Sequence, residues 1–160
     1  MRVAVIGGLE RHESEIARRA GARDVIVGRD ADFARIVGEL TEKRGVDVAY
    51  DGVGGMTLAK TLGCVRPFGV VASIGQAAGP IAPVNVDDLG PRRSLSLARP
   101  SVMAYLNETE TYHLAAMAVL AGIENGVLSV AGQSYSLSKA ACAHADLEAG
   151  VTSGALYLKP

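Results

Sequence analysis

The stretch from Val46 to Pro80, VDVAYDGVGGMTLAKTLGCVRPFGVVASIGQAAGP, restricts the fold more than any other part of the chain. Its first piece, VDVAY, is a short apolar run rich in β-branched residues and reads as a buried strand. Gly52, Gly54 and Gly55 follow at once. There the chain turns sharply and comes close to whatever lies above the strand. The spacing predicts a helix over 56–65, with Met56, Ala59, Leu62 and Gly63 along one side. Pro67 and Gly69 stop it, and GVVASIG reads as a second buried strand ending in another glycine. Strand, helix and strand in so short a span form a βαβ unit whose strands are parallel. Open parallel sheets bind ligands beyond the carboxyl ends of their strands. The turns at 52–55 and 75–79 therefore mark the expected site.

The rest of the chain repeats the alternation. A strand is expected at 2–6, then a turn at Gly7 and Gly8, and a charged helix over 10–20 closed by Gly21. A short strand follows at 25–27. Asp30 or Asp32 caps the next helix, in which Phe33, Ile36, Val37 and Leu40 recur at helical steps up to Gly45. After the central unit, GQAAGPIAPVNVDDLGPRR holds three prolines and reads as a loop, with Arg92 and Arg93 as a solvated turn. Leu95 and Leu97 alternate with serines in a strand from Ser94 to Ala98. A helix over 107–125, capped by Asn107 or Thr109, comes next. A strand at 133–136, a helix at 138–149 and a strand at 155–158 complete the chain. The fold class is α/β: one domain with a parallel-sheet core over 1–126, helices on both faces, and a C-terminal strand–helix–strand extension over 127–160.

Composition excludes several classes. A net charge of -1 gives no footprint for nucleic acid or an anionic membrane surface. No run approaches the roughly 18 apolar residues of a membrane span, and the N-terminus lacks the pattern of a signal peptide, so the expected location is the cytoplasm. Cys64 and Cys142 read as helix-face residues. Two cysteines and three separated histidines show no metal-ligand spacing, so no metal site is expected.

From about Ala17 onward, the strings GARDVI, RGVDVAYDGVGG, CVRPFGVVASIGQAAGP, LARPSVMAYL, GVLSVAGQSYSLSKAACAHADLEAG and SGALYLKP resemble the nucleotide-binding half of the quinone oxidoreductase (zeta-crystallin-like) branch of the medium-chain dehydrogenases/reductases. The resemblance implies a truncated Rossmann-like sheet. It places Gly52 and Val53 near an NADPH cofactor, and Gly75 and Gln76 at its pyrophosphate or nicotinamide-ribose region. Leu97 and Arg99 flank the nicotinamide, and dimerisation runs through the edge strand between Ser94 and Ala98. Two family parts have no counterpart here: the N-terminal catalytic domain, and the first βα unit whose glycine-rich turn seats the pyrophosphate. Arg11 is the candidate substitute for a lysine that holds a 2′-phosphate. VAVIGG resembles the start of a phosphate turn, but its third small residue is missing and Glu10 repels phosphate, offset by Arg11 and His12.

Catalytic residues are unassigned, with Asp51, Tyr50 and Arg99 as candidates. Asp51 either braces the glycine turn or serves as a general base. Ser73 and Tyr105 also carry polar groups toward the expected crevice, with Ser73 alternatively a small core residue, whereas His12, His113 and His144 read as surface or structural. Three functions stay open. One is an NAD(P)H-dependent quinone or enone reductase domain whose remaining parts come from a partner subunit, a dimer mate or an upstream piece of a split or cropped enzyme. Another is a cofactor-free relative that isomerises or cyclises a small apolar molecule. The last is a non-catalytic subunit that dimerises. Saturable NADPH binding separates the first from the others, and mass in solution identifies the last. The C-terminal extension is expected to be essential. Deletion from Gly132 should expose apolar surface and cause aggregation, and a soluble truncated protein with a cooperative melt would contradict this.

Overall fold

Parallel pairing governs every strand of the computed structural model, which describes residues 4–7, 11–28, 31–128, 132–152 and 154–160. The chain divides into two compact units, Met1–Val102 and Met103–Pro160. The first holds β1 (Ala4–Gly7), α1 (Arg11–Arg19), β2 (Asp24–Val27), α2 (Phe33–Leu40), β3 (Val46–Asp51), α3 (Thr57–Cys64), β4 (Val65–Ser73) and β5 (Ser96–Ala98). Among the described residues its strands form two ladders, β1 with β2 and β3-β4-β5, with no ladder between β1 and β3.

The helix boundaries follow local chemistry. The Asp32 carboxylate accepts from the Arg35 N–H at the start of α2, as an N-cap should; Asp30 lies outside the described residues. The stripe predicted for α2 is the one that packs: Phe33 and Val37 are buried with Ile26 and Cys64, and Ile36 and Leu40 lie partly buried against them. The helix stops before Gly45. Glu42 and Lys43 both turn left-handed, at φ 53° and 63°, while Thr41 donates to Val37 O and accepts from Gly45 N. That local hydroxyl offers the backbone an alternative to another helical turn.

Two expectations fail around Pro67. The helix ends at Cys64, and β4 begins at Val65 and runs through Pro67 and Gly69. The two apparent terminators sit inside the strand at an irregularity. Val46 stands opposite Val65, yet Val48 stands opposite Val70, so β4 carries surplus residues there. Phe68 adopts φ 62°, and its N–H donates to Arg93 O at 2.9 Å. Proline and glycine tolerate such bulges, where a ladder donor is absent in any case. Arg93 is also not the solvated turn expected. Its Nη2 donates to Leu62 O at 2.6 Å and Val65 O at 2.7 Å, adding a side-chain cap at the C-terminus of α3, where Leu62 O also accepts from Val65 N.

Besides the cluster around α2, a second core cluster of this unit packs on one face of the three-stranded ladder. Ala49, Val71 and Leu97 stand in register, and they pack with Leu58, Leu62, Val65 and Leu95. The prediction of fully buried central strands holds on this face, and on the other for Ala72 but not for its neighbours. On the other face Val48 is 47% exposed, Tyr50 75% and Val70 36%.

The second unit contains α5 (Thr109–Glu124), β6 (Gly132–Ser136), α6 (Ala140–Glu148) and β7 (Ala155–Lys159), preceded by the short α4 (Val102–Tyr105), which the sequence did not announce. Strands β6 and β7 pair in parallel around α6, forming the strand–helix–strand expected. The Tyr135 hydroxyl donates to Asp146 Oδ2 at 2.9 Å, tying β6 to α6. Helix α5 starts from Glu108 rather than Asn107 or Thr109, and the Thr111 hydroxyl donates to the Glu108 carboxylate. No described helix is long and apolar enough to cross a membrane.

Leu62→Ala removes a side chain buried to within 5% of its surface, and should cost about 2–5 kcal/mol by lost transfer energy plus a cavity, read as a lower denaturation midpoint. The thiols should differ. Burial pushes Cys64 up to about 11 against the opposing pull of the Arg93 guanidinium, whereas Cys142 is exposed. Only Cys142 should react with a thiol reagent at pH 8 under native conditions. Asp47 is hydrogen-bonded by Arg44 and Arg66, which lower its carboxyl to about 2. Its ion pairs should stabilise the fold above pH ~4 and lose that contribution as pH falls through 2. Because these groups are exposed, the effect should shrink in 1 M salt.

Candidate functional site at the carboxyl ends of β3 and β4

Strands β3 and β4 end side by side, with Asp51 opposite Ser73, so the glycine turns leave from neighbouring points. Asp51 is 3% exposed and all of its hydrogen bonding turns inward. Its Oδ1 accepts from Val53 N at 2.9 Å and Gly54 N at 2.8 Å, and its Oδ2 accepts from the Thr61 hydroxyl at 2.8 Å. One carboxylate thus shapes the first turn and fastens it to α3. Charge-assisted bonds of this kind are about twice as strong as neutral ones.

The second turn folds onto the first. Ile74 N and Gly75 N donate to Asp51 O, Ala77 N to Gly52 O at 3.3 Å, and Ala78 N to Val53 O at 2.8 Å. The fit leaves no room for side chains. A Cβ on Gly54 would stand 2.7 Å from Gln76 Cα, and one on Gly75 would stand 2.6 Å from Gly52 O. Gly54 also has φ 67°, which strains any other residue. The two bends therefore meet each other rather than framing a hollow.

Arg99, just past the end of β5, closes the far side. Its Nη1 donates to Ser73 Oγ at 2.8 Å and lies 3.3 Å from Gly75 O, while its Nη2 donates to Gln76 Oε1 at 3.3 Å. Ser73 is buried, whereas Gln76 and Arg99 are exposed. The sequence singled out Gly52, Val53, Gly75, Gln76 and Arg99, and all five converge here. Leu97 belongs to the neighbouring strand but packs into the core. Tyr50 projects from the exposed sheet face, in register with Ala72 and Ala98. The side chain of Arg11, like that of His12, lies outside the described part of the structure. Tyr105 belongs to the second unit. Thr61 was missed: a threonine inside a helix carries no signal until its partner is known.

The cofactor can be tested against this geometry. Val53, Gly54, Ile74, Gly75, Ala77 and Ala78 all donate their N–H groups within the turns. Those amides cannot also cradle a pyrophosphate. What remains exposed is a glycine surface at Gly52, the Val53 side chain, the Gln76 amide and the Arg99 guanidinium. This set offers a ligand one amide and one guanidinium beside a side-chain-free surface. Concavities of about 250 and 590 Å³ lie elsewhere, around Gly63 and Arg93 at the amino end of β4 and along the loop of Asp87 and Asp88. Among the described residues no group of three His, Cys, Asp or Glu side chains could hold a metal ion.

Comparison with known proteins places this geometry. A family model described as zinc-binding dehydrogenase matches residues 20–156. A 2-haloacrylate reductase of Burkholderia sp. is 36% identical over 159 residues, covering 98% of this chain and 48% of that protein. A quinone oxidoreductase of Pseudomonas aeruginosa is 35% identical over 160 residues, covering 99% and 49%. The structure of Escherichia coli quinone oxidoreductase complexed with NADPH superimposes with a TM-score of 0.84 at 31% identity, covering 99% of this chain and 49% of that one. The chain spans about half the length of the curated relatives it matches. It belongs to the zinc-binding dehydrogenase family, as the nucleotide-binding half of the quinone oxidoreductase branch of the medium-chain dehydrogenases/reductases.

Proposed function

We propose that this chain is the nicotinamide-side part of an NADPH-dependent quinone or enone oxidoreductase, acting with a partner or as a cropped form. The observation that carries the reading is the convergence of Gly52, Val53, Gly75, Gln76 and Arg99 at the carboxyl ends of adjacent parallel strands, where such sheets bind ligands. A relative with NADPH in its structure supports it. When bound, reduced nicotinamide supplies hydride; the protein's task is position and electrostatics. Gln76 and Arg99 are the polar groups able to orient the ribose and carboxamide, and the absence of side chains at Gly52 and Gly75 permits close approach. Asp51 acts as a positioning residue through Val53 and Gly54, since its oxygens already accept three donors.

NADPH added to the full chain should give a saturable change in cofactor fluorescence at sub-millimolar to millimolar concentration. Arg99→Ala should weaken it by about tenfold, or roughly 1.4 kcal/mol. Absence of binding at millimolar NADPH overturns the reading for the chain alone. Asp51→Asn keeps an acceptor for the turn amides and should bind within a few-fold of the parent. Asp51→Ala strands buried donors and should cost about 2–4 kcal/mol of stability. If Asp51→Asn instead abolished turnover of an enone in the completed enzyme while binding persisted, Asp51 would be a proton-transfer group.

A further inference from the structure

Three segments converge at the amino end of β4, the end of that strand away from the glycine turns. Gly45, after α2, lies so close to the start of β4 that a Cβ on it would stand 2.8 Å from both Arg66 N and Cys64 O. The loop before β5 joins them, because Phe68 N donates to Arg93 O and Arg93 Nη2 caps α3. A concavity of about 250 Å³ lies here, lined by Lys43, Arg44 and Arg93, with no carboxylate among its described lining residues. Cations at helix ends ordinarily serve the last carbonyls. At the end of α2 other donors do this: Val37 O, Gly38 O and Glu39 O accept from the amides of Thr41, Lys43 and Glu42. Neither Lys43 nor Arg93 enters an ion pair among the described residues, and Arg44 and Arg66 share a single carboxylate, Asp47. The two helix C-termini contribute about half a negative charge each. Even with Glu42 counted, which does not line the concavity, positive charge is in excess.

We propose that this concavity is a second binding site, for the phosphoryl group of a small phosphate monoester, with Lys43 and Arg93 as its principal contacts. A phosphoryl group carries about 1.5 to 2 negative charges at neutral pH and three acceptor oxygens. That matches one ammonium together with the Nη1 and Nε groups of Arg93, which are not used on Leu62 and Val65. A monocarboxylate offers less charge and fewer acceptors. The volume lies just below the roughly 300–1,000 Å³ of sites for drug-sized ligands, which suits a short organic part beside the phosphoryl group. Gly38 and Gly63 supply that space, since a Cβ built on either meets nothing within 4 Å. Gly52, Gly75 and Arg99 lie at the other end of β4, so the inference is independent of the cofactor reading and is measured without NADPH.

The test titrates the full chain with glycerol 3-phosphate and with inorganic phosphate at constant ionic strength, and follows the amide NMR signals. Glycerol 3-phosphate should bind saturably with a Kd on the order of 1 mM, more tightly than inorganic phosphate. It should move the amides of Gly38, Gly45 and Gly63 and leave those of Gly52 and Gly75 in place. Lys43→Gln changes an exposed side chain and should weaken binding about fivefold with an unchanged melt. Gly38→Leu fills the space from inside α2, where leucine is the better helix former. It should abolish binding without lowering the melting temperature; should it fold poorly, Lys43→Gln decides alone. The inference is overturned by no saturation up to about 20 mM, by shifts centred on Gly52 and Gly75, by equal shifts with chloride, or by affinity indifferent to the substitutions. Succinate binding as tightly as glycerol 3-phosphate overturns the phosphoryl assignment, and inorganic phosphate doing so overturns the ester.

Discussion

The Asp51 carboxylate is the interaction on which the carboxyl end of the sheet depends. Its position at the last residue of β3 lets one group shape the next turn through two amides and lock it to α3 through Thr61. The backbone carbonyl of the same residue accepts from the neighbouring turn. A bend of small residues has little intrinsic preference for a single conformation. Here the preference comes from a buried charge surrounded by donors, the arrangement in which burial of a carboxylate is least unfavourable. Arg99 performs the complementary task from β5, reaching back across β4 to the Ser73 hydroxyl and the Gln76 amide. Three strands are thus fastened at one end by polar groups and along one face by apolar packing.

Much of this was legible in the residues. The stripe of Phe33, Ile36, Val37 and Leu40 located α2 and its buried side, because periodicity reports burial directly. The βαβ unit and its two glycine turns followed from apolar runs bounded by glycines. What escaped notice was long-range. Pro67 and Gly69 looked like terminators because the sequence does not show that β4 bulges there against β3. Arg93 looked solvated because its acceptors, the carbonyls of Leu62 and Val65, lie some thirty positions earlier. Thr61 was silent for the same reason. The site residues Gly52, Val53, Gly75, Gln76 and Arg99 were identified through resemblance and strand ends. That the turn amides are occupied by Asp51 and by the opposite bend emerged only from geometry.

Pattern and burial disagree along β3. VDVAY carries the near-continuous apolar character of a strand covered on both faces, yet Val48 and Tyr50 are open.

The contact between Gly54 and Gly75 with their opposite backbones has an evolutionary corollary. Each glycine is excluded from change by main-chain atoms of the other bend, Gln76 Cα in one case and Gly52 O in the other. Shrinking a neighbouring side chain cannot make room, because the obstruction is not a side chain. Drift at either position therefore has no single-step compensation, and the pair should persist in descendants of this chain even where surrounding residues turn over freely.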